Sequence, residues 1–377
     1  MRKNLKIPRL GLVLIAATLF YGISFAQTPN LDAKLNEQIV SVPLGSGIFA
    51  VELETTIFKP PGDGPFPLLI MNHGKAPGNA HFQERARYFA ISREFVTRGY
   101  AVVIPMRKGF SKSTGAYVDG GCNIGGNGQA QADDVQGVLE YVVKQGWVDR
   151  ERILVAGQSH GGLTTMAFGT RNFAGVKGLI NFAGGLRKEN CQWELSLVDA
   201  FGDFGAKTKL PSLWFYGEND SYFNPELANK MYAAYTKSGA NAKLIAYGPF
   251  KNDAHSMSGS RDGVKIWWPE TEQFLKKLGL PTEVLMQVGN VPQHPRTDFA
   301  SIDNVDAIPY VKETGRAGYR NFLGRSMPRA FAISASGAWG WGNEGDEPSV
   351  RAMSNCQKNS QLPCKLYAVD DYVVWKE

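Results

Sequence analysis

Short apolar segments alternate with segments of helical periodicity along most of the chain. Apolar runs of strand length lie at residues 66–71, 100–105, 153–156, 176–182, 213–216 and 242–247. Patterns with one apolar helical face lie at residues 85–98, 129–145, 225–238 and 267–277. This alternation predicts an α/β fold, in which a mostly parallel sheet has helices on both faces.

Two extended segments precede this alternation. Residues 38–42 and 48–58 are followed by the turn sequence KPPGDG, which predicts an antiparallel hairpin at the edge of the sheet. Ligands of parallel sheets bind at the carboxyl ends of the strands. The loops after Met71, Pro105 and Gly157 should therefore meet at one edge.

The C-terminal quarter has a different pattern. Residues 281–307 are polar and are interpreted as a linker. Beyond them we predict a small α+β domain at 308–377, with a strand at 330–334, a glycine- and tryptophan-rich loop at 337–345, a helix at 349–357 and a hairpin formed by 365–369 and 372–375. Trp339 and Trp341 are consistent either with sugar stacking or with the cover of a small core.

The N-terminus is typical of a signal peptide. Four basic residues precede a 14-residue apolar run, which is shorter than the roughly 18 residues of a membrane span. Small residues end at Ala26, so we predict cleavage there, export to the periplasm or medium, and no stable membrane insertion. Without the leader the chain has 37 basic and 35 acidic residues. Such a balance gives no indication of nucleic-acid binding.

Four cysteines are compatible with disulfides in an exported protein. Their order favours one bond between Cys122 and Cys191 in the large domain and another between Cys356 and Cys364 in the tail. None has the paired spacing of a zinc site, so we expect no metal.

The candidate chemistry centres on Gly157-Gln158-Ser159-His160-Gly161. This G-x-S-x-G pattern joins a predicted strand to a helix, where a sharp turn exposes a serine nucleophile. A serine hydroxyl needs a base, and the base needs a carboxylate to hold its tautomer. In this architecture the acid and the histidine follow the serine in that order.

Elimination among five histidines leaves His255 as the base. For the acid, Asp220 in the loop after strand 213–216 is preferred over Glu218, and Asp253 is a rival. Two backbone amides should bind the oxyanion. We predict those of His160 and Lys75, with Gly74 as the alternative to Lys75, and we expect His73 to orient their loop.

The segments His73-Gly74, GQSHGG, YGEND and NDAHS together resemble the α/β-hydrolase superfamily over about residues 38–280. Within it the chain resembles most closely the dienelactone-hydrolase-like esterases, although dienelactone hydrolases proper have a cysteine in place of Ser159. The resemblance implies the α/β-hydrolase fold for residues 27–280 and a serine hydrolase activity.

Two insertions are candidates for the walls of a substrate pocket. The glycine cluster within 117–127 lacks the lysine of a phosphate-binding loop and is interpreted as a flexible loop. Residues 186–210 are predicted to form a partial lid over the acyl or aryl pocket, tied down by the Cys122–Cys191 bond. Phe201 and Phe204 in that segment fit either the pocket or the core.

The sequence thus predicts an exported serine esterase that acts on a small-molecule ester through an acyl-enzyme and requires no cofactor. Two alternatives are a peptidase or amidase with the same triad, and a non-catalytic cell-wall or glycan-binding protein that acts through its C-terminal domain.

Overall fold

The computed structural model describes residues 31–47, 50–288, 294–325, 327–343 and 347–376. The predicted signal peptide lies outside these ranges. None of the helices in the described ranges combines the length and the apolar character that a membrane crossing requires.

An eight-stranded sheet lies at the centre of the fold formed by residues 38–280. In chain order its strands are β1 Gln38–Leu44, β2 Val51–Phe58, β3 Phe66–Asn72, β4 Ala101–Pro105, β5 Val148–Gln158, β6 Val176–Phe182, β7 Ser212–Gly217 and β8 Ala242–Tyr247. The spatial order is β1-β2-β4-β3-β5-β6-β7-β8. β1 and β2 are antiparallel, β2 is antiparallel to β4, and the pairs from β4 through β8 are parallel. The predicted edge hairpin and mostly parallel sheet are confirmed.

Helices cover both faces of this sheet. They are α1 Phe89–Val96, α2 Ile124–Val142, α3 His160–Gly169, α4 Trp193–Gly205, α5 Pro225–Lys237 and α6 Val264–Lys277. The buried side chains of α2, α3, α4 and α5 share one apolar core, and those of α1 and α6 share the other. Alternate residues of β5 enter the two cores, as a strand buried on both faces requires: Ile153 and Val155 enter the first, Leu154 and Ala156 the second.

The helix after β4 starts earlier than predicted. α2 begins at Ile124, so part of the glycine cluster that was interpreted as a loop is helical. The Asn123 side chain caps this end by accepting a hydrogen bond from the Gly126 amide at 2.8 Å. Gly128 lies where a Cβ would be 3.3 Å from Leu163 and Ala167 of α3, so the absence of a side chain permits close helix packing.

The C-terminal region forms a separate four-stranded antiparallel sheet with helices. It contains α7 Glu313–Leu323, β9 Arg329–Ser334, β10 Trp339–Asn343, α8 Pro348–Gln357, β11 Cys364–Val369 and β12 Tyr372–Val373. The strand order is β10-β9-β11-β12. This arrangement is the predicted α+β unit, but the loop prediction for 337–345 is wrong because Trp339 to Asn343 pair with β9.

Both tryptophans of β10 pack partly against the C-terminal core. The Trp339 ring stacks on Phe331 with centroids 5.9 Å apart, and a Cβ on Gly318 of α7 would lie 2.3 Å from the Trp339 ring. Trp341 lies under the guanidinium of Arg325, 4.8 Å from its ring centroid. Both rings therefore cover part of the C-terminal core in this structure.

Candidate active site

Ser159 occupies the turn between β5 and α3 with a strained backbone. Its φ of 56° and ψ of −124° lie outside the regions that residues with a side chain usually adopt. Three amides hold its carbonyl oxygen, those of Gly162 at 2.8 Å, Leu163 at 3.1 Å and Gly185 at 3.0 Å. Neighbouring structure therefore maintains a conformation that would otherwise relax.

The two glycines of the motif allow the turn to pack closely. A Cβ on Gly157 would lie 2.1 Å from the Gly161 carbonyl oxygen, and a Cβ on Gly161 would lie 2.0 Å from the Asn72 carbonyl oxygen. Both contacts are with backbone atoms, which cannot rotate away. The sequence pattern around Ser159 is thus a packing requirement of the turn.

His255 and Asp220 form a hydrogen-bonded pair at the carboxyl edge of the sheet. His255 Nδ1 lies 3.0 Å from Asp220 Oδ2. The other oxygen of Asp220 accepts the backbone amides of Tyr222 at 2.8 Å and Phe223 at 2.9 Å. The carboxylate is buried, and these three bonds orient it. With Nδ1 donating to Asp220, Nε2 of His255 is left as a proton acceptor.

Asp253, the rival acid, contacts backbone and a serine instead of the imidazole. It accepts hydrogen bonds from the His255 amide at 2.9 Å and from the Ser221 amide and hydroxyl at 3.1 and 2.6 Å. It also caps the short 3-10 helix Ala254–Gly259. Gln158 donates to the His255 carbonyl at 3.1 Å, which ties this loop to the residue before Ser159.

Ser159 and His255 line one cavity of about 600 Å³. Within the described ranges no hydrogen bond joins the two side chains. Gly74, Lys75 and Tyr88 form another part of the wall. The structure thus brings together the predicted nucleophile, base, acid and oxyanion loop.

The amides predicted to bind an oxyanion differ in their partners. The Gly74 amide donates to the Tyr88 hydroxyl at 3.1 Å. In the part of the chain that the structure describes, the amides of Lys75 and His160 donate to no protein group. Lys75 is therefore better placed than Gly74 to supply the second donor, since its N–H is free to bind a ligand oxygen.

A buried arginine that was not predicted from the sequence supports the loop after β3, which contains His73, Gly74 and Lys75. Arg107 follows β4, and its Nη2 donates to the His73 carbonyl at 2.8 Å and to Nδ1 of His160 at 3.2 Å. Its Nε donates to Gln131 at 3.0 Å. Burial lowers the pKa of Arg107 to about 10, which leaves it charged at neutral pH. Its position at the end of β4 was the available signal, since that loop was expected at this edge.

His73 and His160 are buried and neutral. Burial, and after it the positive charge of Arg107, lowers the pKa of both imidazoles well below the usual value. His73 Nδ1 contacts the Gly74 carbonyl at 2.7 Å, and its Nε2 accepts the Arg107 amide at 3.1 Å. His160 Nε2 contacts Asn127 Oδ1 at 2.6 Å. Both ring nitrogens of each histidine thus contact protein groups, and the two side chains hold the loop in shape.

The predicted lid does not line this cavity. Of the described residues that form its wall, none lies within 186–210. That segment contains α4, whose Phe201 and Phe204 are 0% and 2% exposed in the core under the sheet. The prediction that this segment covers the pocket is wrong, and the two rings take the core role: Phe201 packs on Trp214 of β7 with ring centroids 5.1 Å apart, and Phe204 lies beside Gly128 of α2. The structure does join Cys122 to Cys191, and Cys356 to Cys364.

Two C-terminal residues, Arg325 and Asn343, complete the wall instead. No sequence pattern connected them with Ser159. Among the residues that the structure describes, no group of three or more His, Cys, Asp or Glu side chains could hold a metal ion.

Comparison with known proteins finds similarity to several peptidases and to a dienelactone hydrolase. The profile of the family described as "Peptidase_S15: X-Pro dipeptidyl-peptidase (S15 family)" matches residues 47–195. A protein of Arabidopsis thaliana assigned as a chloroplastic glutamyl endopeptidase is 25% identical over 264 residues, which cover 61% of this chain and 26% of that protein. The chain thus spans about a quarter of this relative's length.

Two solved structures are similar to this chain. One, assigned as a dipeptidyl aminopeptidase IV from Bacteroides ovatus, has a TM-score of 0.50 and 18% identity, and the match covers 64% of this chain and 36% of that one. The other, assigned as a dienelactone hydrolase from Klebsiella pneumoniae, has a TM-score of 0.45 and 19% identity, with 64% and 98% covered. The chain has the α/β-hydrolase fold, with an additional C-terminal sheet.

Proposed function

We propose that this chain is an exported serine hydrolase that cleaves carboxylic esters through an acyl-enzyme. One observation carries the proposal: Ser159, on a strained turn, shares a cavity with His255, whose Nδ1 is bonded to the buried Asp220. A nucleophile, a base and an orienting acid in this relation are the requirements of acyl transfer by serine.

In the proposed reaction Ser159 Oγ attacks the ester carbonyl while Nε2 of His255 takes the hydroxyl proton. Asp220 stabilises the imidazolium that forms. The amides of Lys75 and His160 bind the oxyanion. His255 then gives its proton to the leaving alcohol, and water attacks the acyl-enzyme by the same route in reverse, which releases the acid and restores Ser159.

The choice of esters rests on the resemblance of GQSHGG, YGEND and NDAHS to dienelactone-hydrolase-like esterases. Cleavage of peptides by the same residues is a second candidate. It is favoured by the match of residues 47–195 to the X-Pro dipeptidyl-peptidase family and by the similarity to the Arabidopsis protein assigned as a glutamyl endopeptidase.

Export is part of the proposal. It rests on the signal-peptide pattern before Ala26 and is supported by the two disulfides, since such bonds persist mainly in oxidising compartments.

A substrate panel separates the two candidates. We expect wild-type protein to hydrolyse 4-nitrophenyl acetate and butyrate more efficiently than the 4-nitroanilides of X-Pro and of glutamyl peptides. Ser159→Ala should lose about 10⁴- to 10⁶-fold in rate, whereas Ser301→Ala, at an exposed serine of the predicted linker, should keep wild-type activity. Activity confined to the anilides would overturn the ester assignment and favour the peptidase.

A further inference from the structure

The C-terminal region forms part of the wall around Ser159. Arg325, two residues beyond the end of α7, and Asn343, the last residue of β10, line the same cavity as Ser159 and His255. This region is therefore placed to contact a substrate bound at the serine.

Ion pairs hold the region against the opposite wall. Arg351 of α8 pairs with Glu84 at 3.1 Å, and Glu347 pairs with the buried Arg87 at 2.8 Å. Glu84 itself lines the cavity, and Arg87 lies between two residues that line it. Both pairs join the C-terminal region to the loop beside the site. The Arg325 backbone is held within that region, because its amide donates to the Phe322 carbonyl at 3.0 Å and its carbonyl accepts from Arg329 Nη1 at 2.9 Å.

Arg325 differs from the other ionised groups of the wall. Arg85 pairs with Glu37 at 2.9 Å, Glu84 pairs with Arg351, and Asp253 accepts three hydrogen bonds. The Lys75 ammonium donates to the carbonyls of Ala76 and Gly78.

The Arg325 side chain, by contrast, has no hydrogen bond and no carboxylate partner among the residues that the structure describes, and its Nε is buried without an acceptor. Within the described ranges the Trp341 ring contacts its guanidinium face, at 4.8 Å. Stacking fixes the plane of a guanidinium and leaves its N–H edge for a planar anion. A carboxylate is the group that this fork binds with two parallel hydrogen bonds.

We propose that Arg325 is a specificity-determining residue that binds a carboxylate on the substrate, so that the preferred esters are monoesters of dicarboxylic acids. The inference rests on the proposed hydrolysis at Ser159. The bound carboxylate holds the far end of the acyl chain while the ester carbonyl lies at the serine, which orients the reacting group.

The test compares esters that differ only in the remote charge. Mono(4-nitrophenyl) glutarate is matched with 4-nitrophenyl valerate, and mono(4-nitrophenyl) suberate with 4-nitrophenyl octanoate. Arg325→Ala should lower kcat/KM for the better of the two anionic esters by about 10- to 100-fold, the usual range for a charged hydrogen bond, and that for its neutral partner by less than about threefold. Arg325→Lys, which keeps the charge without the fork, should fall between wild type and Arg325→Ala.

Arg320→Ala is the matched control, because this exposed arginine of α7 pairs with Glu313 away from the cavity. In each pair of esters it should leave the ratio of kcat/KM for the anionic ester to kcat/KM for the neutral ester unchanged. Equal losses on both members of each pair in Arg325→Ala and Arg325→Lys would overturn the carboxylate assignment and leave the hydrolase intact. Absence of Ser159-dependent hydrolysis of all four esters would overturn the proposed ester hydrolase, and this inference with it.

Should Arg325→Ala not fold, wild-type protein decides the question. Free glutarate should then inhibit valerate ester hydrolysis competitively and more strongly than neutral glutaramide does. Equal inhibition by the two compounds would contradict the proposal.

Discussion

At the scale of single residues, the site depends on buried polar groups whose charge states are set by their surroundings. His73 and His160 are neutral because burial and the adjacent Arg107 charge oppose protonation. An unfolded chain has no such constraint, and its histidines take up protons near pH 6.5. Folding should therefore be coupled to pH through these two residues.

We expect the free energy of unfolding to decrease as the pH is lowered from 7.5 to 5.5. Below about pH 6.5 the unfolded state binds protons that the folded state excludes, which removes up to about 1.4 kcal/mol per pH unit for each histidine. His160→Gln keeps a donor toward Asn127 and cannot titrate, so its stability should fall less steeply with pH. Urea unfolding at pH 7.5, 6.5 and 5.5 measures both slopes.

The other groups with shifted pKa values affect wild type and variant alike. Burial lowers the pKa of His294, which adds to the slope, and raises the pKa of Asp134, which opposes it. Burial by itself would raise the pKa of Glu37, but the hydrogen bonds from Arg87 and the Asp32 amide outweigh burial, so the pKa is lowered. Glu37 therefore affects stability only below this pH window. Parallel slopes for wild type and His160→Gln would contradict the account.

The placement of the candidate site residues was largely predictable from the sequence. Chain order and elimination led to Ser159, Asp220 and His255, and the structure places them at one edge of the sheet. The Arg107 network was not readable, because its partners His73, Gln131 and His160 lie on three separate elements. A lone arginine has no local pattern that shows burial.

At the scale of elements, the contact between α3 and β3 determines whether the serine turn can form. We expect Gly161→Ala to destabilise the protein by about 1–3 kcal/mol, since its Cβ would overlap the Asn72 carbonyl. Gly146→Ala is the control, because a Cβ there meets no atom within 4 Å. Thermal unfolding of both variants measures the difference. Equal melting temperatures would show that α3 shifts freely, against the account of the turn.

Element prediction succeeded where the pattern was local. The strands β3 to β8 are short apolar runs bounded by turn residues, and their type could be assigned. The segment at 85–98 was predicted as one helix, yet α1 begins only at Phe89. Arg85 and Arg87 instead contact Glu37, which is remote in sequence, and Tyr88 at φ 45° interrupts the helix. Helical periodicity does not reveal such a tertiary contact.

At the scale of the whole molecule, the sequence prediction and the structure differ mainly in which segments surround Ser159. Proximity in the chain favoured residues 186–210 as the cover of the pocket, because the disulfide ties them near the site. Their aromatic rings serve the core instead, and Arg325 and Asn343 arrive from the C-terminal sheet. Ion pairs between residues that are more than 250 positions apart in the chain, such as Glu84 with Arg351, join the C-terminal region to the loop beside the site. No pattern in a single sequence predicts such pairs.

The C-terminal region also has a role outside its own core. Residues 297–305 of the predicted linker contact that core through Phe299, Ile302 and Val305, whereas Leu285 and Met286 bond to the Thr97 carbonyl next to α1. The described parts of the predicted linker therefore contact the C-terminal core at one end and the chain beside α1 at the other. We infer that the C-terminal sheet acts with the hydrolase fold as one wall of the site.

The central claim is that Ser159 is the nucleophile of a working hydrolase. Labelling with a fluorophosphonate followed by peptide mapping tests it most directly, because the reagent bonds only to an activated serine. We predict one adduct on wild type, in the tryptic peptide of residues 153–171, and none on Ser159→Ala. An adduct of equal yield on folded Ser159→Ala, or no adduct on folded wild-type protein, would contradict the account.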